Sequence, residues 1–143
     1  MPGVRVKSVE SMKPGDVFLR RTRTLFHHHK ARAAKYGYAL PYTLEQLRRW
    51  LPSLPCPCEY CEALLTEGTF GLDHDWAVGR RVDSATWALS NLVVCCDRCN
   101  QCKDRLTANE FAALMDVVLR LVPQAQTNVL ARLKAGARRV AGK

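Results

Sequence analysis

The sequence predicts an α+β fold, a small two-stranded core stapled by a four-cysteine zinc site and flanked by N- and C-terminal helices. Three observations carry this expectation. The seven cysteines fall in two tight clusters, 56–61 and 95–102, each holding a Cys-x-x-Cys pair. Short strand-like segments lie between the clusters, and helical periodicity with capping sequences lies outside them.

Taken in order, residues 1–23 read as an extended or weakly structured basic leader with a turn at Pro14-Gly15. A basic helix is expected from Leu25 to about Tyr36, ending near Gly37, with His27, His28 and His29 inside it. Successive helical residues point about 100° apart, so the three imidazoles cannot share one ion and read as surface or DNA-facing groups. Pro41 breaks the chain, and Thr43 with Gln46 forms a capping-box pattern for a helix to about Leu51. Leu44, Leu47 and Leu51 form its inner stripe, with Arg48 and Arg49 outward. Pro52, Pro55 and Pro57 then impose an extended approach to the first cysteine pair.

Thr69–His74 and Trp76–Val78 read as two short strands around a turn, and residues 79–90 (GRRVDSATWALS) as a loop. Thr107 and Glu110 open the strongest helix, in which Phe111, Leu114, Met115, Val118, Leu121 and Val122 fall at 3.6-residue spacing as core. Pro123 ends it, and a last helix spans roughly 127–135 before a basic tail. The organisation expected is a basic leader with helices over 1–52, a core over 53–122 and a C-terminal helix with its tail over 123–143.

Composition narrows the function classes. With 48% hydrophobic and 24% charged residues the 143-residue chain has the profile of a soluble globular domain. No segment approaches the roughly 20 apolar residues of a membrane span, and MPGVRVKSVESMKPGD has no signal-peptide apolar region. A cytoplasmic location is expected, the host cytoplasm if the gene is carried by a phage. The net charge of +9 is unevenly spread. Residues 1–50 hold eleven Lys/Arg against three acids and residues 132–143 hold five against none, leaving the middle net negative. Basic arms around such a centre point to a polyanion as partner.

Cys58-x-x-Cys61 and Cys96-x-x-Cys99 are separated by 34 residues. A two-residue spacer lets both thiolates of a knuckle reach one ion, and two knuckles close a tetrahedron of structural Zn²⁺. Cys56, Cys95 and Cys102 compete for the same role, since Cys99-x-x-Cys102 is also a permitted knuckle.

Beside the knuckles stand Asp73-His74, Asn91-Leu92, Asn100 directly after Cys99, and Lys103. Taken with FGLDHDWAV, SNLVVCCDRCNQCK and LTANEF, this ordered set resembles the HNH endonucleases, over about residues 36–118. The upstream ARAAKYGYALPYTLEQL is similar to the basic helix and linker before the knuckle in short phage and bacterial members. The resemblance implies a ββα-metal (His-Me finger) core. It also implies a DNA endonuclease, nicking or cutting both strands, that leaves 5′-phosphate and 3′-hydroxyl ends. Asp73 and Asn100 would hold a catalytic Mg²⁺ or Mn²⁺, His74 would act as general base, and Asn91 would orient it. The Cys58/Cys61/Cys96/Cys99 set is then preferred for zinc, because Asn100 rather than Lys103 fills the metal-ligand position. Arg80, Arg81, Lys103, Arg48 and Arg49 are candidate phosphate contacts. Two features depart from the family pattern: the third motif residue is Asn100 rather than histidine, and Trp76-Ala77-Val78 stands where a proline is common.

Two rival expectations share these residues. One is a zinc-containing module that binds nucleic acid without cutting it. The other is a phage accessory nuclease acting on branched DNA or with packaging or replication machinery. Double-stranded DNA is the expected partner in the main reading, and double-strand cutting by one active site would call for a homodimer or repeated attack.

Overall fold

The computed structural model describes residues 15–76 and 82–141. The element order is α1 (Asp16–Lys35), α2 (Leu44–Trp50), β1 (Cys56–Pro57), β2 (Leu64–Leu65), β3 (Gly71–His74), β4 (Leu92–Cys95), α3 (Asp97–Lys103), α4 (Ala108–Val118) and α5 (Pro123–Ala141). Two 3-10 turns, Ser84–Trp87 and Leu89–Asn91, lie between β3 and β4. The fold is α+β, with two separate antiparallel two-stranded sheets, β1–β2 and β3–β4. No helix among the described residues is long and apolar enough to cross a membrane.

α1 begins at Asp16, nine positions before the expected Leu25, and runs to Lys35. The reason lies on its inner face, where Phe18, Thr22, Phe26, His29 and Ala33 recur at helical spacing. Thr22 is fully buried because its hydroxyl donates to the Phe18 carbonyl one turn back, 2.7 Å away. The expected leader over 1–14 lies outside the described residues. Gly37, at φ +82°, supplies the left-handed residue just past the helix.

α2 matches its expected span and carries the full capping box of Thr43 and Gln46. Leu47 and Leu51 are buried and Leu44 half-buried. β1 and β2 form a small hairpin around the first cysteine pair, closed where Cys58 N–H donates to the Ala63 carbonyl at 2.8 Å. Glu59 N–H reaches the Val94 carbonyl at 3.0 Å, fastening this hairpin to β4.

The partner of β3 is not the expected Trp76–Val78 segment. Gly71, Leu72, Asp73 and His74 pair with Cys95, Val94, Val93 and Leu92. The β-branched, apolar run LVVC competes better for a buried edge than a segment holding Trp76, whose indole N–H instead donates to the Asp104 carbonyl. The expected loop holds the two 3-10 turns, the first capped by Asp83, and residues 77–81 lie outside the described residues.

α3 follows β4 after one residue and lies against β3 and α5. α4 ends at Val118, earlier than its apolar period suggested. Phe111 and Val118 are buried and Leu114 and Met115 half-buried, but Leu121 and Val122 are exposed because the chain turns there. Pro123 opens α5 instead of only closing α4, as suits a residue with no N–H to leave unpaired in a first helical turn. The core gathers Tyr42, Leu47, Leu51, Leu65, Phe70, Leu72, Leu92, Val94, Phe111 and buried cysteines around the two sheets.

Candidate functional site

The sulfurs of Cys58, Cys61, Cys96 and Cys99 all lie within 4.8 Å of one another and are positioned to hold a metal such as zinc. A tetrahedron with Zn–S bonds of about 2.3 Å has S···S edges of about 3.8 Å. The Cys61 and Cys96 sulfurs are 3.8 Å apart. Backbone N–H groups already point at the cluster. Tyr60 and Cys96 donate to the Cys58 sulfur at 3.4 and 3.3 Å, and Cys99 donates to the Cys96 sulfur at 3.4 Å. Such donors stabilise thiolates, the form a metal takes. At Cys61 burial pushes the thiol up, and hydrogen bonds from the Ala63 backbone and from Cys99, Cys58 and Cys96 outweigh it, so its pKa falls below the ordinary value.

The three competing cysteines stand apart from this cluster. Cys95 is buried in β4, where burial drives its thiol well above the usual range and keeps it neutral. Cys102 faces α5, its sulfur 3.8 Å from the Leu130 carbonyl. Cys56 sits on β1 opposite Leu65, its thiol also raised by burial.

The Asp-His pair divides across β3, since neighbouring strand residues face opposite sides. Asp73, 5% exposed, forms a buried ion pair with Lys103, Oδ2 to Nζ 3.0 Å, and accepts from the Tyr60 hydroxyl at 2.7 Å. Lys103 Nζ also donates to the His74 carbonyl at 3.1 Å. Burial, and then the Asp73 charge, raises the Tyr60 phenol far above its usual range, so it remains a donor. Asn100 approaches the same strand, its amide donating to the Leu72 carbonyl at 3.2 Å. Oxygen donors of Asp73 and Asn100 suit a hard divalent ion in kind. In place, however, Asp73 Oδ2 already holds an ammonium, and the site is balanced for one cation.

His74 turns the other way, into rings. It lies 4.7 Å from Trp76 and 4.8 Å from Trp87 by ring centroids, and 6.2 Å from His29 of α1. It is 1% exposed, and among the described residues neither ring nitrogen makes a well-formed hydrogen bond, the Asp75 backbone lying near. Burial lowers its pKa to about 4. His29 is likewise lowered to about 4, by burial and then by the charge of His74. His27 and His28 are exposed as expected, but His29 belongs to the inner face of α1.

Asn91 does not touch the His74 ring. Its amide donates to the Asp75 and Thr86 carbonyls at 2.8 and 3.0 Å, tying the end of β3 to the 3-10 turn that carries Trp87. Asp75 in turn accepts from Ala108 N–H at 2.8 Å at the start of α4. Tyr60, Asp75, Ser90, Asn91 and Val93 line a shallow cleft of about 330 Å³ beside the pair of strands.

The expected phosphate contacts separate into three groups. Lys103 is 0% exposed and serves Asp73, because a buried carboxylate requires a counter-ion more than a surface phosphate does. Arg48 and Arg49 both lean on Glu45, at 3.7 and 3.5 Å. Arg80 and Arg81 lie outside the described residues. The sequence reading missed Tyr60, His29 and Trp87. Tyr60 was findable from its place inside the Cys58–Cys61 knuckle, and His29 from its spacing to Leu25, Phe26 and Ala33.

Two neutral imidazoles buried together make stability depend on pH. Both pKa values fall from 6.5 to about 4, so below 6.5 the unfolded chain binds protons that the folded chain refuses. Stability is therefore full above 6.5 and is lost as pH falls through that window, by roughly 3 kcal/mol at most for each ring. Thermal unfolding midpoints measured across that range should drop towards acid, and the slope should be shallower in His29→Asn. An unchanged slope in that variant would remove His29 from the account.

Comparison with protein-family models, with curated proteins and with solved structures finds no match for this chain.

Proposed function

We propose that the chain is a zinc-stapled, metal-dependent DNA endonuclease of the HNH type. The observation that carries this reading is the convergence on β3. The strand bears Asp73 and His74, and α3 brings Asn100 and Lys103 to it from a start fixed in the thiol cluster by Cys96 and Cys99. Two antiparallel strands followed by a helix, in that order, are what a ββα-metal core requires. Zinc in the four-cysteine cluster would be structural, because four thiolates leave no open position.

Asp73 and Asn100 would hold the catalytic Mg²⁺ or Mn²⁺ once Lys103 yields its place on the carboxylate. When bound, that ion supplies charge stabilisation at the phosphate and the leaving 3′ oxygen. His74, which faces away from Asp73 into the aromatic rings, would contribute a neutral imidazole able to take a proton from the attacking water once substrate or a shifted cover turns the ring towards the site. Asn91 positions the strand end and the Trp87 turn around that ring, without bonding to it. His74→Ala is expected to abolish metal-dependent nicking of plasmid DNA, with at least a hundredfold loss in rate, while leaving zinc content unchanged. Equal cleavage by variant and wild type would exclude His74 from the reaction.

A second reading is favoured by two specific observations. The neutralisation of Asp73 by Lys103 and the burial of His74 both suit a zinc-containing nucleic-acid-binding module that does not cut. Salt-sensitive DNA binding with no cleavage under Mg²⁺ or Mn²⁺ would decide for it.

A further inference from the structure

We infer that α1 is the element that tracks the nucleic-acid backbone, in place of the α2 arginines. The inference rests on the nucleic-acid part of the reading above and not on cleavage. α1 carries six Lys/Arg and a single acid, Asp16. At 100° per residue its buried stripe, centred on Thr22, His29 and Ala33, faces the core, and Arg20, Arg23, His27 and Lys30 share one exposed arc roughly 80° to 160° round from it, with Asp16 at its start. Arg32 and Lys35 extend the exposed basic surface into the last turn.

Charge pairing separates this helix from α2, although exposed Arg98 and Arg132 likewise have no ion pair among the described residues. Arg48 and Arg49 share Glu45, Arg120 pairs with Asp116, and Lys103 is buried on Asp73. Among the described residues no ion pair engages Arg20, Arg23, Lys30, Arg32 or Lys35. Among the described residues their charge has no ion-pair partner, and a phosphodiester chain compensates such charge by releasing its own counter-ions.

The dimensions agree. Ten helical steps from Arg20 to Lys30 cover roughly 15 Å of axis, enough to reach both edges of a major groove about 12 Å wide. An anionic membrane is a poorer partner, because the face of Arg20, Arg23, His27 and Lys30 has no row of large apolar residues to enter a bilayer. The same helix sets His29 against His74 on its inner side, so a strand held on α1 lies one helix diameter from the proposed catalytic ring.

The test is anisotropy of a labelled, mixed-sequence DNA duplex titrated over a range of KCl, without added divalent metal. Wild type is compared with the triple variant Arg20→Gln/Arg23→Gln/Lys30→Gln and the double variant Arg48→Gln/Arg49→Gln, with circular dichroism confirming helix content. The triple variant should bind at least tenfold more weakly near physiological salt, with a salt slope shallower by about 2 to 3, since each lost phosphate contact removes about 0.9. The double variant should keep both values close to wild type. An unchanged slope in the triple variant, or an equal loss in the double, overturns the inference. Wild type that ignores duplex and binds phosphatidylserine vesicles overturns it together with the nucleic-acid reading. Loss of binding confined to the triple variant, with no cleavage by wild type under Mg²⁺ or Mn²⁺, upholds the role of α1 while removing the nuclease.

Discussion

Cys99→Ser is expected to leave the protein unfolded under conditions where the parent chain melts cooperatively. Structural zinc contributes about 10–16 kcal/mol of apparent binding energy in small domains, and native stability is only about 5–15 kcal/mol. Losing the metal removes more than the fold has in reserve. Cys99 is a sharp choice because its sulfur belongs to the cluster while its backbone N–H caps α3 on the Cys96 sulfur. Mass spectrometry should find about one zinc per wild-type chain and almost none in the variant, with far-UV circular dichroism and amide dispersion lost in parallel. Cys102→Ser is the control. Its sulfur lies outside the cluster, and zinc content should be retained. A zinc-free wild type with a normal melt would end the zinc reading outright.

Lys103→Met should cost about 3–5 kcal/mol, the second largest effect expected in the molecule. The side chain is fully enclosed, and removing its ammonium leaves a carboxylate at 5% exposure with the Tyr60 hydroxyl as its remaining side-chain partner among the described residues. Adding Asp73→Asn should restore most of the loss, because an uncharged amide no longer needs the counter-ion and can still accept from Tyr60. Denaturant midpoints for the two single variants and the double variant measure that coupling directly. Additive losses would show that the pair is not an energetic unit. The pair also bears on the proposed chemistry. In Lys103→Met the carboxylate is left to find another cation, so Mn²⁺ should raise the melting temperature of that variant and not of the double.

Features set by local spacing were the ones readable in the sequence. The Cys58–Cys61 and Cys96–Cys99 knuckles, the Thr43 and Thr107 capping boxes and the α2 stripe depend on residues within a few positions of each other, and each appears where expected. The approach of Asn100 to β3 followed from the order of motifs and not from periodicity. What escaped the sequence was any feature decided by a distant partner. Lys103 read as a surface clamp because its carboxylate stands 30 positions earlier. His29 read as one of three solvated histidines because Trp87 and His74, which close over it, stand far along the chain, although its spacing to Leu25, Phe26 and Ala33 marked the inner face. The strand partner of β3 was misplaced for the same reason, the competing segment being closer along the chain than Leu92–Cys95.

The aromatic surroundings of His74 have an optical consequence. Indole emission is sensitive to the charge of a neighbouring imidazole, because the protonated ring accepts an electron from the excited tryptophan and the neutral ring does so poorly. Two of the three tryptophans, Trp76 and Trp87, stand within 4.8 Å of His74 by centroid, and the third, Trp50, belongs to α2. The molecule thus contains its own emission gauge for the ring at the end of β3. Any ligand, proton or substitution that alters that ring writes its effect into the intrinsic fluorescence, with no label attached.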